Sequence, residues 1–191
     1  MFKKLIILFC IGLLLGTIFL VLADYTRDKQ VIVKEAIQDI NKTYYFGYGS
    51  NMDINLLRQR IDNNSIVPVT YAKLEDYRLI FPREVGSVIP TTGHDVYGCL
   101  YLLSDEEIAK LDIVEGYRED RDRNLNSYNR EWIDVFLPSG KKVSAEIYIQ
   151  VNNLAINDKP GNSYKQTLVK GSRDCYLPEF YIDELEQIEV R

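Results

Sequence analysis

The feature that most constrains this chain is an uncharged, strongly apolar run over residues 5–23, which directly follows Lys3 and Lys4. As a helix rising about 1.5 Å per residue, the run would nearly span a hydrocarbon core roughly 30 Å thick. The two lysines favour a cytoplasmic amino terminus, so we predict a single-pass anchor with the rest of the chain beyond the membrane. The alternative is a signal peptide cleaved after Ala23, which would release a secreted protein. The anchor is favoured because the run is longer than the usual signal core of about 7–15 residues.

The remainder of the 191-residue chain is long enough for one ordinary domain. Residues 24–42 mix polar and apolar positions and are predicted to form a short juxtamembrane helix or stalk, and residues 43–191 to form the globular domain. The net charge of −5 comes without a basic stripe, which argues against a nucleic-acid partner. The only histidine is His94, so mechanisms and metal sites that need two histidines are excluded.

The pattern within the predicted domain mixes short strands with a few helices. Strand-like runs cover residues 44–48, 66–74, 77–81, 96–103, 131–137 and 141–151. Helix-like runs cover residues 53–61, 104–115, 163–175 and 178–188. Ser104 and Glu107 form a capping box that opens the second helix, and Gly116 closes it. The mixture without strict alternation predicts the α+β class, with a small barrel as the way to close the sheet edges.

Two segments are candidates for chemistry. In Tyr48-Gly49-Ser50-Asn51 a glycine follows an aromatic strand, so the backbone can turn sharply and gather N–H groups that hold a carboxylate or a developing oxyanion. Glu115 ends a helix among apolar neighbours, where a raised proton affinity would suit a general base. Taken alone, the first segment is more typical of an ordinary turn, and Glu115 of a solvated glutamate at a helix end.

In combination these segments resemble the γ-glutamylcyclotransferase family. The first block is Tyr45-Phe46-Gly47-Tyr48-Gly49-Ser50-Asn51-Met52, and the second is Leu111-Asp112 with Glu115-Gly116. Gly98-Cys99-Leu100-Tyr101 resembles the family's central strand. Its closing segment is matched by Ser163-Tyr164-Lys165, Lys170-Gly171-Ser172 and Leu177-Pro178-Glu179-Phe180-Tyr181. The resemblance covers roughly residues 44–185, nearly all of the predicted domain.

The resemblance implies a small mixed β-barrel flanked by helices and a reaction without metal or cofactor. The family's substrate is a γ-glutamyl amide, whose own α-amino group attacks the γ-carbonyl to give 5-oxoproline and a free amine or amino acid. This is the chemistry of an amide-cleaving lyase, formerly classed as an acyltransferase. Glu115 matches the catalytic glutamate, acting as general acid and base. The binding segment is matched by Tyr45, Phe46, Gly47, Tyr48, Gly49, Ser50 and Asn51.

Two further tyrosines are implied by the resemblance as substrate contacts. Tyr164 matches a tyrosine that precedes the Lys-Gly-Ser block, and Tyr128 matches one that follows the Glu-Gly pair. The segment after Gly116 is longer than is usual in the family, which makes Tyr117 a competitor of Tyr128. The arginines in that segment are expected to belong to a solvated loop of mixed charge rather than to the mouth of the site.

Several alternatives stay open. A non-catalytic module could keep the pocket and bind a γ-glutamyl or other carboxylated ligand, and an enzyme of the same fold could cleave another γ-glutamyl conjugate. A domain outside the cytoplasm would meet γ-glutamyl peptides of that space more readily than the cytosolic pool related to glutathione. A homodimer is as open as a monomer. Cys99 and Cys175 are expected to be two free, buried thiols, with a disulfide as the alternative in an oxidising compartment.

Overall fold

The structure is a computed structural model, and it describes residues 42–151 and 158–191. The predicted membrane anchor and nearly all of the predicted stalk lie outside the described residues. Within the described part of the chain, no helix has the length and apolar character needed to cross a membrane.

Strands and helices are both present, which confirms the α+β class. The described strands are β1 (Lys42–Gly47), β2 (Thr70–Ile80), β3 (Ser87–Ser104), β4 (Tyr128–Phe136) and β5 (Lys142–Gln150). The described helices are α1 (Ile54–Ile61), α2 (Asp105–Glu115), α3 (Asn162–Asp174) and α4 (Glu179–Gln187). A short 3₁₀ turn at Ser50–Met52 separates β1 from α1.

The strands are ordered β1-β3-β2-β4-β5, and all but one of the pairings are antiparallel. The exception joins the two ends of this order, where Tyr45 of β1 pairs in parallel with Glu146 of β5 and closes the sheet into a small barrel. Closure pairs the two strands at the ends of this order with each other, which reduces the edge that another chain could extend. It also brings the end of β1, where the predicted binding segment begins, close to β5.

The largest difference from the predicted strands lies in β2 and β3. The sequence predicts separate strands over residues 66–74 and 77–81, but β2 is continuous from Thr70 to Ile80. Its register against β3 shifts between Glu75 and Tyr77, and Asp76 has a φ of 58°. The Asp76 carboxylate accepts the Gly93 N–H at 2.8 Å, so the side chain stabilises a bulge that resembles a turn in the sequence. His94 is next to Gly93 and lies within β3, at an exposed position.

The barrel divides the apolar side chains into two clusters. One includes Phe46, Leu74 and Leu100, and the other lies under the helices and includes Leu111 and Leu168. Cys99 and Cys175 lie in the second cluster and are joined by a disulfide, with their Cα atoms 5.7 Å apart. The expectation of two free thiols is therefore wrong. The pairing depends on how α3 ends against β3, a contact across 76 residues that no local pattern reveals.

Candidate active site

A small cavity of about 30 Å³ lies where β1 leads into the Ser50–Met52 turn. Eight of the ten residues predicted for the site line it: Tyr45, Tyr48, Gly49, Ser50, Asn51, Glu115, Tyr128 and Tyr164. Two lining residues, Gly86 and Tyr148, are not among the predicted ones. The cavity therefore gathers side chains from β1, the following turn, α2, β4, β5 and α3, which are far apart in the sequence.

Phe46 and Gly47 are the two predicted residues that do not line the cavity. The Phe46 side chain has no exposed surface and packs in the barrel core. Gly47 pairs with Cys99 in the sheet and lies against Asn51, since a Cβ at residue 47 would be 3.4 Å from the Asn51 carbonyl oxygen. Both residues end β1 and so help to place the Ser50–Met52 turn at the cavity.

Glu115 is placed by the end of α2. The helix begins at the capping box predicted from Ser104 and Glu107, in which the Glu107 carboxylate accepts the Ser104 N–H at 2.8 Å. It ends at Gly116, whose φ of 64° is the left-handed conformation that glycine adopts without strain. The last turn therefore directs the Glu115 carboxylate to the cavity, where only 13% of its side chain is exposed.

The pKa of the Glu115 carboxyl is set by three effects of opposite sign. Burial is the largest, and it raises the pKa of the carboxyl above its ordinary value. The Arg60 guanidinium, 3.8 Å from Glu115 Oε1, and a hydrogen bond from Asn51 both lower this pKa. The net result is a raised pKa, which is suited to a group that takes and returns a proton.

Asn51 connects the turn to the carboxylate. Its Nδ2 donates to Glu115 Oε1 at 3.0 Å and to the Tyr45 hydroxyl at 2.6 Å. Its backbone carbonyl accepts a hydrogen bond from the buried Tyr101 hydroxyl at 3.2 Å. Because the side chain and backbone are both held, the Asn51 amide presents a fixed donor to the Glu115 carboxylate.

Two of the predicted tyrosines meet at Gly86. The Tyr164 hydroxyl accepts the Gly86 N–H at 2.8 Å, and the Tyr128 hydroxyl donates to the Gly86 carbonyl at 3.0 Å. A Cβ at residue 86 would lie 2.7 Å from the Tyr164 hydroxyl, so any larger residue would displace that hydroxyl. Burial raises the pKa of both hydroxyls, and they remain neutral donors and acceptors. Gly86 follows a short loop, and its only signal in the sequence is a glycine between two predicted strands.

The structure distinguishes Tyr128 from Tyr117. Tyr128 lines the cavity, whereas the Tyr117 ring lies 5.2 Å below the Arg130 guanidinium. The arginines of the long segment after Gly116 make local contacts. Arg118 pairs with Asp120 at 2.8 Å, and Arg121 donates to the Gly116 carbonyl at 2.5 Å. These contacts agree with the expected loop of mixed charge.

A larger cavity of about 600 Å³ adjoins the first, because Ser50, Glu115, Tyr128 and Tyr164 line both. Its other lining residues include Arg60 of α1, which the sequence analysis missed. The residue lies ten positions from Ser50, and only the fold of α1 against the turn brings them together. Across residues 42–151 and 158–191, no group of three His, Cys, Asp or Glu side chains could hold a metal ion.

Comparisons with known proteins give this chain a family. The model of the family described as "Gamma-glutamyl cyclotransferase, AIG2-like" matches residues 45–167. A mouse protein named γ-glutamylcyclotransferase is 28% identical over 158 residues, which cover 76% of this chain and 78% of the mouse protein.

Solved structures share the fold at lower identity. A structure titled γ-glutamyl cyclotransferase is 22% identical, with a TM-score of 0.68 over 78% of this chain and 89% of that chain. A human protein described as uncharacterized is 23% identical, with a TM-score of 0.69 over 79% of this chain and 90% of that chain. YkqA from Bacillus subtilis is 20% identical, with a TM-score of 0.61 over 86% of this chain and 60% of that chain.

Proposed function

This chain belongs to the γ-glutamyl cyclotransferase, AIG2-like family, and on that basis we propose that it converts a γ-glutamyl amide into 5-oxoproline and a free amine or amino acid. The observation that carries the proposal is the meeting of a buried carboxylate, Glu115, with the glycine-containing turn after β1 in a single cavity. The family supports a cyclotransferase, whereas the substrate and the role of Glu115 are proposals.

In the proposed reaction the α-nitrogen of the substrate forms a bond to the γ-carbonyl carbon, and the bond from that carbon to the leaving nitrogen breaks. The α-ammonium group begins with three protons and the ring nitrogen of 5-oxoproline keeps one, so two protons must leave it. They appear on the leaving amine, which departs as an ammonium ion. Glu115 is the group that takes a proton from the α-nitrogen and returns one to the leaving nitrogen.

The turn supplies the second part of the mechanism. Gly49 and Ser50 line the cavity beside Glu115, so their backbone would face a carbonyl oxygen that gains negative charge during attack. Tyr128 and Tyr164 meet at Gly86, where the Tyr164 hydroxyl also lies close to Gly49, and would contact the glutamyl portion. Nucleophile and carbonyl belong to the same molecule, so the site needs only to hold them in a reactive conformation. The leaving amine would extend into the larger cavity.

The test is 5-oxoproline release from a panel of γ-glutamyl amino acids and amines by the full-length chain. Glu115→Gln keeps the shape of the side chain but removes its basicity, and should lower kcat/KM by about 10²–10⁴. The matched control is Glu106→Gln, because Glu106 lies on the same helix, is exposed and pairs only across one turn with Lys110 at 3.1 Å. Equal activity in wild type and Glu115→Gln would refute the role of Glu115, and the absence of turnover with tight ligand binding would favour a binding module.

We also propose that residues 5–23 anchor the chain in a membrane, with the domain on the extracytoplasmic side. The support is the uncharged run and the two lysines before it. Membranes washed with alkaline carbonate should retain the chain, and its intact mass should include Met1. A soluble chain with intact Met1 would contradict the anchor, and a soluble chain that begins at Asp24 would show cleavage after Ala23.

A further inference from the structure

Arg60 is the cation that lies against the proposed base. It belongs to α1, and its Nη1 donates to Ser50 Oγ at 3.0 Å and to Asn51 Oδ1. The same nitrogen lies 3.8 Å from Glu115 Oε1. One guanidinium therefore contacts the turn, the amide that holds the carboxylate, and the carboxylate itself.

The contact with Arg60 determines which way the Asn51 amide faces. With Oδ1 accepting from Arg60, Nδ2 donates to Glu115 and to the Tyr45 hydroxyl. The reversed amide would place its NH₂ against the guanidinium and its oxygen against the carboxylate, so that both contacts would become repulsive. Arg60 thus keeps the Asn51 oxygen facing the guanidinium and the Asn51 NH₂ group facing the Glu115 carboxylate.

The groups that face Glu115 come from several elements. Besides Arg60 and Asn51, the titratable side chains that line the small cavity with it are five tyrosines: Tyr45, Tyr48, Tyr128, Tyr148 and Tyr164. Two charged side chains, Arg83 and Glu84, line the adjoining larger cavity with Glu115. Burial raises the pKa of the five tyrosine hydroxyls, which therefore stay neutral when Glu115 titrates. The charge of Arg60 therefore opposes the effect of burial on the carboxylate.

We propose that Arg60 is a positioning residue for the reaction, which orients the Asn51 amide toward Glu115 and holds that carboxylate in the unprotonated form that accepts the substrate's proton. This inference rests on the proposed function, because it assigns Arg60 a role in the same site. Arg60 acts through Glu115 and Asn51 rather than by contact with the reacting atoms.

The experiment compares the pH dependence of kcat/KM for full-length wild type, Arg60→Gln and Arg60→Lys. Removal of an opposite charge at this distance should move the acid limb of the profile to higher pH by about one unit or more. The direction follows because activity requires the unprotonated carboxylate and is lost as pH falls through its pKa. Arg60→Lys keeps the charge but, on a shorter side chain, does not place a nitrogen where Nη1 lies, so its acid limb should stay near that of wild type while kcat falls.

Arg58→Gln is the matched control. Arg58 carries the same charge two residues earlier on α1, but its guanidinium donates to the Ile66 carbonyl at 3.0 and 3.2 Å. Its loss should leave the acid limb in place even if the protein becomes less stable. Thermal unfolding of each variant shows whether it is folded at the assay temperature.

A second readout separates this inference from the proposed function. The carboxyl group of Glu115, labelled with ¹³C and assigned by its absence in Glu115→Gln, is titrated by NMR without substrate. A higher midpoint in folded Arg60→Gln than in wild type would support the inference even if no γ-glutamyl amide were turned over. An unchanged midpoint would overturn it, as would an unchanged acid limb with a large rise in KM, which would make Arg60 a substrate-binding residue.

Discussion

At the scale of single residues, the charge of Glu115 is costly to the fold and is needed for the proposed reaction. Its pKa is raised mainly by burial, despite Arg60 and the Asn51 amide. Folding therefore favours the protonated carboxyl over the carboxylate. The contribution to stability is complete below the pKa of the unfolded glutamate and is lost as pH rises through the raised pKa of the folded state.

This sign predicts that Glu115→Gln is more stable than wild type near neutral pH. A neutral amide avoids the burial of charge, so the variant should unfold at a higher denaturant concentration. The difference should shrink as pH falls below the ordinary glutamate value, since both side chains are then neutral. The measurement is urea unfolding at several pH values, with Glu106→Gln as the exposed control. A less stable Glu115→Gln at neutral pH would mean that the attraction of Arg60 and Asn51 exceeds the cost of burial.

At the scale of elements, the sequence predicts those that local signals define. The capping box at Ser104 and Glu107 and the left-handed Gly116 are local, and α2 begins and ends where they predict. Local signals do not determine the length of β2. Asp76 forms a bulge rather than a turn because Gly93 of β3 donates to its carboxylate.

The candidate site divides in the same way. The turn after β1 and Glu115 can be recognised in the sequence because their motifs are short and contiguous. Gly86 and Arg60 can be recognised only in the fold. Gly86 meets Tyr164 across 78 residues, and Arg60 reaches Ser50 because α1 folds back over the turn.

The packing of α3 against the Ser50–Met52 turn gives a prediction about the position of this helix. A Cβ at Gly171 would lie 2.5 Å from both the Asp53 nitrogen and the Met52 carbonyl carbon. Gly171→Ala should therefore push α3 away from the turn, destabilise the domain by about 1–3 kcal/mol and lower activity. Gly161→Ala, at the start of α3, meets nothing within 4 Å and should change stability by less than about 1 kcal/mol. Urea unfolding of both variants measures the difference, and equal effects would contradict the close contact.

At the scale of the whole molecule, the barrel and the helical layer are tied together by the Cys99–Cys175 disulfide. One end, Cys99, is on β3, and the other, Cys175, is the residue that directly follows α3. The disulfide closes a loop across 76 residues, so its removal increases the conformational entropy of the unfolded chain.

Reduction should therefore lower the free energy of unfolding by about 4 kcal/mol. Denaturant titration with and without dithiothreitol measures the change. A Cys99→Ala/Cys175→Ala double variant, which keeps Cys10, should be insensitive to the reductant. Identical unfolding of wild type under both conditions, with both thiols open to alkylation, would show that the pair is not formed.

The central claim is that the γ-glutamyl amide is cleaved by its own α-amino group. The most direct test is incubation of the full-length chain with γ-glutamyl-alanine in water enriched in ¹⁸O, with mass analysis of the products. The account predicts free alanine and 5-oxoproline that contains no ¹⁸O, because no water enters the reaction, and no cleavage when the α-amino group is acetylated. Glutamate that carries ¹⁸O would show hydrolysis by water and contradict the account.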